Sequence, residues 1–267
     1  MVVSINYKTD EEIAALRRAN HIVGQVLAEL RIMVKPGIRT QDLDAYAESR
    51  ALELGARPAF KGYRGYPASL CTSVNEVIIH GLPSPRILAE GDIIGLDFGV
   101  ELDGFYGDAA VTYPVGRVSA EAERLMAAAE QSFFKGIEQM REGKRISDIS
   151  HAIQSWVEGQ GFSVIREFVG HGIGRALHEE PQVPNFGPPG RGPRIRAGLT
   201  LAIEPMIAAG RPEVEVLSDG WTARTRDGTL AAHFEHTVAL TAQGIEVLSQ
   251  PLLTDAPRPR LEEKPYA

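Results

Sequence analysis

The chain has 267 residues, 43% of them apolar and 24% charged, with a formal net charge of -7. That length supplies core enough for one large domain or two small ones, and the composition excludes a disordered or fibrous chain. The acidic balance, with no Lys/Arg block longer than three residues, argues against nucleic acid as the main partner, and Cys71 alone excludes an internal disulfide framework.

Thr9-Asp10-Glu11-Glu12 is a capping-box pattern opening a helix whose Leu16, Ile22, Val23, Val26, Leu27, Leu30 and Met33 share one face. Pro36-Gly37 stops it. Thr40 is expected to cap a second helix running to about Leu54 and closed by Gly55. From Leu70 to Val115 the pattern turns β, with Val77-Ile78-Ile79, Ile93-Ile94-Gly95-Leu96 and Ala109-Ala110-Val111-Thr112-Tyr113 separated by Gly and Pro turns. Ser119 opens a third helix, Ser147 a fourth, and strand-like runs resume from Phe162 to Leu248. No apolar run approaches membrane-spanning length, and residues 1–6 lack the basic and apolar regions of a signal peptide, so a cytoplasmic protein is expected.

Helices then strands, twice over, suggests a duplication. Gly37, Arg39, Asp42 and Gly55 match Gly143, Arg145, Asp148 and Gly161 at one constant offset, with Leu43 opposite Ile149. His80 and His178 each have a proline three residues later, Pro83 and Pro181. Two such halves would pack as one pseudo-symmetric α+β domain, helices covering the outside of a curved antiparallel sheet.

Gly95-Leu96-Asp97-Phe98-Gly99 and Gly107-Asp108-Ala109-Ala110 set two aspartates on a β-ribbon. His171 stands among glycines in Gly170-His171-Gly172-Ile173-Gly174, Glu204 follows Leu201-Ala202-Ile203, and Glu235 follows Phe234. An unpaired carboxylate in a core strand is costly and normally has a cation beside it. Read singly, Asp97 and Asp108 are turn or cap residues, and Glu204 and Glu235 are partners of arginines. Read together, four carboxylates and one imidazole suit a pair of small divalent metals such as Mn, Fe or Co, with Zn compatible. A carboxylate can bridge two metals about 3.5–4 Å apart and leave a hydroxide shared between them.

His80 and His178 lie in turn-like segments, where a lone histidine is ordinarily a surface or hydrogen-bonded residue. Their matched places in the two halves make them candidates to hold a substrate amide and steady a tetrahedral oxyanion. His21 and His151, inside helices, read as structural, and His236 reads as support for Glu235. Cys71 lacks a recognisable nucleophile arrangement and reads as core or pocket lining. The aromatic, glycine-rich residues 60–67 suit a surface turn or the wall of an apolar pocket. No P-loop and no nucleophile-elbow sequence occurs.

Ser73-Val74-Asn75-Glu76-Val77-Ile78-Ile79-His80-Gly81-Leu82-Pro83, Asp97, Asp108, Gly170-His171-Gly172-Ile173-Gly174, His178-Glu179-Glu180-Pro181, Ile203-Glu204-Pro205-Met206 and Glu235-His236-Thr237 together resemble the methionine aminopeptidases. The match runs in order from the first helix to about Leu248. The resemblance implies an α+β pita-bread fold, in agreement with the duplication across about 9–115 and 119–248; a single catalytic domain is expected over residues 1–253, and the composition of residues 255–260 makes 254–267 an expected disordered tail. It implies that Asp97, Asp108, His171, Glu204 and Glu235 hold two divalent ions (Co, Mn, Fe or Zn), Asp108 and Glu235 bridging. His80 and His178 would contact substrate. Tyr63, Tyr66, Cys71 and Trp221 would line a methionine pocket with Phe60 and Leu177, positions where some members carry cysteine and phenylalanine respectively. The short interval between Glu204 and Glu235, and the lack of a zinc-binding or polybasic N-terminal extension, resemble the compact bacterial first type.

The implied reaction is attack on the first peptide bond by a hydroxide shared between the metals, with Glu204 managing the proton and His178 steadying the oxyanion. Initiator methionine would thereby leave nascent chains whose second residue is small. Implied partners are nascent polypeptide N-termini, with transient ribosome contact through Arg17-Arg18 or Arg141-Lys144-Arg145 and neither membrane nor DNA; a monomer is expected. Two readings compete. Proline-specific relatives share the fold and ligands but usually carry a large N-terminal domain, and non-catalytic modules of the same fold lose ligands.

Overall fold

The computed structural model describes residues 4–250, so the expected tail over 254–267 lies outside the described residues. Two helices, α1 (Asp10–Met33) and α2 (Thr40–Glu53), precede strands β1 (Arg57–Pro58), β2 (Leu70–Val74), β3 (Val77–Ile79), β4 (Ile93–Leu102) and β5 (Phe105–Pro114). Two more helices follow, α3 (Ala120–Ile137) and α4 (Ile146–Gly159). Then come β6 (Ser163–Val164), β7 (Gly170–Gly172), β8 (Glu179–Val183), β9 (Thr200–Ile203) and β10 (Met206–Ala208). The last four strands are β11 (Val214–Val216), β12 (Ala223–Thr225), β13 (Ala231–Thr241) and β14 (Gly244–Val247).

The expected capping box forms: Thr9 Oγ1 accepts from Glu12 N, and Glu12 Oε2 accepts from Thr9 N. Ser119 caps α3 through Ala122 N at 3.1 Å. Thr40 and Ser147 differ from expectation, lying inside the first turns of α2 and α4, with Arg39 and Arg145 at the cap positions. Their hydroxyls are engaged by the loops ahead of β4 and β9 instead: Thr40 Oγ1 accepts from Ser84 N at 2.9 Å, and Ser147 Oγ from Arg191 N at 2.6 Å. A tertiary contact has taken the oxygen that a local cap would use. Gly55 and Gly161 close the two helices at φ +81° and +82°, a left-handed conformation that costs glycine no Cβ clash.

Among the described residues, eleven strands form one antiparallel sheet in the order β1-β4-β5-β13-β9-β7-β8, with β2 on β4, β14 and β10 on β13, and β6 on β10. A second sheet, β11-β12-β3, stands apart. One face of the large sheet is covered by the helices in two apolar clusters. Ile94, Leu96 and Phe98 pack with Leu27, Leu30 and Leu43 from α1 and α2. Leu201, Ile203, Phe234 and Val238 pack with Phe133, Ile149 and Ile153 from α3 and α4. Strand alternation sends the intervening residues, including Asp97 and Glu235, to the opposite face. The four acids interrupt the apolar pattern because they belong to that other face.

Candidate metal centre and substrate pocket

Register places the acids. Asp97 pairs with Ala110, and Ala110 pairs with Glu235, so the two carboxylates flank one methyl group across three strands. Asp108 lies two residues before Ala110 and therefore on the same face. His171 pairs with Ala202 on β9, whose end delivers Glu204. His171 Nε2 stands 3.6 Å from Glu204 Oε1 and 4.0 Å from Asp108 Oδ2. Its Nδ1 faces the Gly172 carbonyl at 2.9 Å, a partner that leaves the Nε2 lone pair free for a metal.

No lysine or arginine pairs with these four acids among the described residues; their ionic neighbours are His171 and His233. The arginine-partner reading of Glu204 and Glu235 is thereby removed. Asp97 Oδ1, Asp108 Oδ1 and Glu235 Oε1 are buried without a hydrogen-bond partner. Two donor groups, Asp97-His233-Glu235 and Asp108-His171-Glu235, each bring their ligand atoms within 4.8 Å and share Glu235. Buried orphan carboxylate oxygens around shared donors fit divalent cations, the partner that such groups otherwise lack. Without that partner, burial holds Asp97 up to about 7. Burial and the mutual repulsion of the carboxylates raise Asp108, Glu204 and Glu235 well above the usual range.

Two close approaches shape the site. A side chain at Gly107 would collide with the α1 backbone at Ala19 and Asn20, so the helix lies directly on β5. That approach lets Asn20 Oδ1 accept from Asp108 N at 3.2 Å. Thr237 Oγ1 donates to the Asp108 carbonyl at 2.8 Å, holding the following peptide from β13 so that Asp108 is fixed on both sides. At Gly99, opposite Asp108, the missing side chain gives the Phe60 ring its seat.

Above the acids opens a cavity of about 150 Å³, lined by Asp97, Asp108, His171, Glu204 and Glu235 together with an apolar wall. Phe60, Tyr66, Cys71 and Leu177 form that wall, with Tyr63 and Trp221 packed against it. Every residue expected in the pocket is therefore brought to one place. Tyr66 meets Trp221 edge-on at 5.1 Å, and its hydroxyl donates to the Gly81 carbonyl at 3.2 Å. Burial raises the Cys71 thiol well above its ordinary range, as suits a wall rather than a nucleophile.

His80 and His178 both line this cavity. His178 stacks on Tyr63 at 5.3 Å, sits 4.1 Å from the His171 ring, and has Nδ1 2.9 Å from the Tyr63 hydroxyl. Burial, then the neighbouring His171, Arg64 and His80, depress His178 to about 3. Burial also lowers His80, which holds a left-handed φ of +58° and meets Phe168 and Trp221 edge-on. Both imidazoles are neutral near pH 7.

Sequence reasoning passed over three residues. His233 has Nε2 buried without a hydrogen-bond partner, 3.8 Å from Glu204 and 3.7 Å from Glu235. Arg64, at φ +51°, lines the cavity, and Phe168 packs on His80. His236, expected to support Glu235, lies on the other face of β13 against Phe133, with Nδ1 2.8 Å from Ser249 Oγ. The period of two along β13 was the available signal: residues 233 and 235 share a face, and 236 does not.

Residues 14–242 match metallopeptidase family M24. The chain is similar to methionine aminopeptidase 1 of Bacillus subtilis, with 49% identity covering 91% of this chain and 98% of that one. It is 53% identical to the methionine aminopeptidase of Clostridium perfringens, covering 91% and 97%. The crystal structure of methionine aminopeptidase from Thermotoga maritima superposes with a TM-score of 0.91 at 45% identity, covering 92% of this chain and all of that one.

Proposed function

The chain belongs to metallopeptidase family M24, and from that premise we propose that it removes the initiator methionine from nascent proteins and peptides. It is an aminopeptidase of the pita-bread fold, a hydrolase of the first peptide bond. The observation that carries the reading is the union, in one cavity, of the acid cluster and an apolar wall. The cavity of about 150 Å³ is shared by the acid cluster and the apolar wall, and the part against the wall suits one unbranched side chain such as a methionine thioether.

Asp97, Asp108, His171, Glu204 and Glu235 would hold two divalent cations, Co, Mn, Fe or Zn, and Asp108 and Glu235 would serve both. The orphan carboxylate oxygens and the two donor groups with Glu235 in common support Asp97, Asp108, His171 and Glu235 in these roles, while Glu204 and the sharing of Asp108 rest on the likeness to the methionine aminopeptidases. Such ions supply Lewis acidity when bound, polarising a carbonyl and acidifying water. The chain's own groups do the rest. Glu204, shielded between His171 and His233, relays the proton to the departing amine. With the Tyr63 hydroxyl, 2.9 Å away, as donor to His178 Nδ1, the neutral ring would carry its proton on Nε2 and donate it to the developing oxyanion. His80 holds the substrate amide.

The same proposal covers a second residue that must be small, a cytoplasmic monomer, and brief contact with the ribosome. Among the described residues no helix is long and apolar enough to cross a membrane. All four of Arg17, Arg18, Arg141 and Lys144 are exposed, but Arg17 and Arg18 are paired with Glu246 and Asp103 whereas no acid pairs with Arg141 or Lys144 among the described residues, which favours residues 141–145 as the contact. A single catalytic unit over 1–253, duplicated across about 9–115 and 119–248, is supported by the paired left-handed glycines 37 and 143, and 55 and 161.

The test is release of methionine from Met-Gly and Met-Ala peptides, set beside Met-Leu, Met-Lys and Xaa-Pro peptides, with and without chelator. Metal-dependent cleavage of the first two is expected. Equal rates across all second residues, or preferential Xaa-Pro cleavage, would sink the reading.

A further inference from the structure

Lys8 lies outside the cavity, yet its ammonium is buried. Its side chain is 2% accessible, and Nζ stands 2.5 Å from Glu179 Oε2, itself 12% accessible, and 2.8 Å from the Asn6 carbonyl. The other Glu179 oxygen, Oε1, accepts from the backbone of Arg175 at 2.8 Å and of Ala176 at 3.2 Å. One carboxylate thus joins the N-terminal segment to the loop between β7 and β8. Two further contacts run the same way: Lys8 N donates to the Gly198 carbonyl at 2.8 Å, and Arg175 Nε donates to Glu12 at 3.1 Å. A side chain at Gly174 would strike the Lys8 stem, so that glycine is what admits the lysine.

That loop ends in Leu177 and His178. His171, at its start, is held by strand pairing to Ala202, whereas residues 174–178 belong to no strand. Their order depends on the Glu179 carboxylate, on Gly174 accepting from Tyr106 N at 2.9 Å, and on the Tyr63 contact with His178. We propose that Lys8 is a positioning residue for the peptidase reaction, acting through Glu179 to hold residues 174–178 so that His178 meets the substrate. The inference rests on the proposed function for its catalytic consequence. Its structural half stands alone.

A buried carboxylate that loses its counter-charge either takes a proton or turns toward water, and either releases the two amides. Displacing a positioned group by about 1 Å costs on the order of 10²-fold in rate. Full-length Lys8→Met, Glu179→Gln and the double variant should be compared with wild type. Lys8→Met is expected to bind Mn(II) with wild-type stoichiometry and to lose ~10- to 100-fold in kcat on a Met-Ala peptide, with KM little changed. Hydrogen exchange should show the Arg175 and Ala176 amides losing protection. In the double variant no charge stays buried and the amide oxygen still accepts both N–H groups, so protection and most of kcat should return. A poorly folding Lys8→Met leaves the comparison of Glu179→Gln with the double variant to decide.

Wild-type kcat and protection in Lys8→Met overturn the proposal, as does a kcat loss without change at these two amides. Loss of bound metal overturns it too, by moving the effect to His171. Wild-type protein that releases no methionine defeats the proposed function instead, while the exchange data still test the clasp.

Discussion

Stripping divalent metal should reverse the dependence of this protein's stability on pH. The metal-free site holds Asp97 up to about 7 from an ordinary 3.8, through burial. Asp108, Glu204 and Glu235 are raised in the same direction by burial and by one another. A carboxyl whose folded pKa lies above its unfolded value binds its proton more tightly when folded. Its contribution is fully present below about pH 4 and is lost as pH rises through the folded value. For Asp97 the difference of about three units corresponds to roughly 4 kcal/mol, most of it lost between about pH 4 and 7. Between pH 5 and 8 about 2–3 kcal/mol of it falls away, which for a domain of this size lowers Tm by about 5–10 °C. Bound metal works the other way, since it needs the carboxylates ionised and stabilises more as pH rises. Scanning calorimetry at pH 5, 6.5 and 8, with chelator and with Mn(II), reads both limbs, and Asp97→Asn should make the chelated one shallower without abolishing it, since Asp108, Glu204 and Glu235 remain. A chelated protein whose Tm is level or rises from pH 5 to 8 would refute the account of these acids as buried and otherwise unpaired.

Asp108→Ala and Glu235→Ala should each abolish peptidase activity and metal occupancy together, measured by elemental analysis alongside turnover; two bound metals with near-normal rate would refute the assigned ligands. His178→Ala should keep its metals and lose roughly 10²–10³ in kcat, the scale of one oxyanion donor, and unchanged turnover would reduce His178 to a structural residue. Cosedimentation with ribosomes should be weak and should fall steeply between low and moderate salt; tight, salt-insensitive binding would contradict an electrostatic contact through residues 141–145.

The sequence was most informative where local pattern and chemistry coincide. The Thr9–Glu12 capping box and the Ser119 cap form as read, because each is closed by neighbours within three residues. Thr40 and Ser147 carry the same signal, but their oxygens serve Ser84 and Arg191, residues more than forty positions away. The acids were legible because a carboxylate inside an apolar strand demands a cation, which any single strand already states.

Which imidazole joins them was not legible without the strand's facing. His233 and His236 both flank Glu235 in sequence space, yet β13 sends one toward Glu204 and the other onto Phe133. By itself the sequence carried the kind of chemistry and the α+β class, and it named five candidate ligands, missing His233. Only the tertiary structure decided their common focus. Asp97, Ala110 and Glu235 lie side by side through strand register, Gly107 brings α1 close enough for Asn20 to hold Asp108, and Lys8 reaches Glu179 across 171 residues. Such juxtapositions arise from pairing between distant segments, and no local pattern records them.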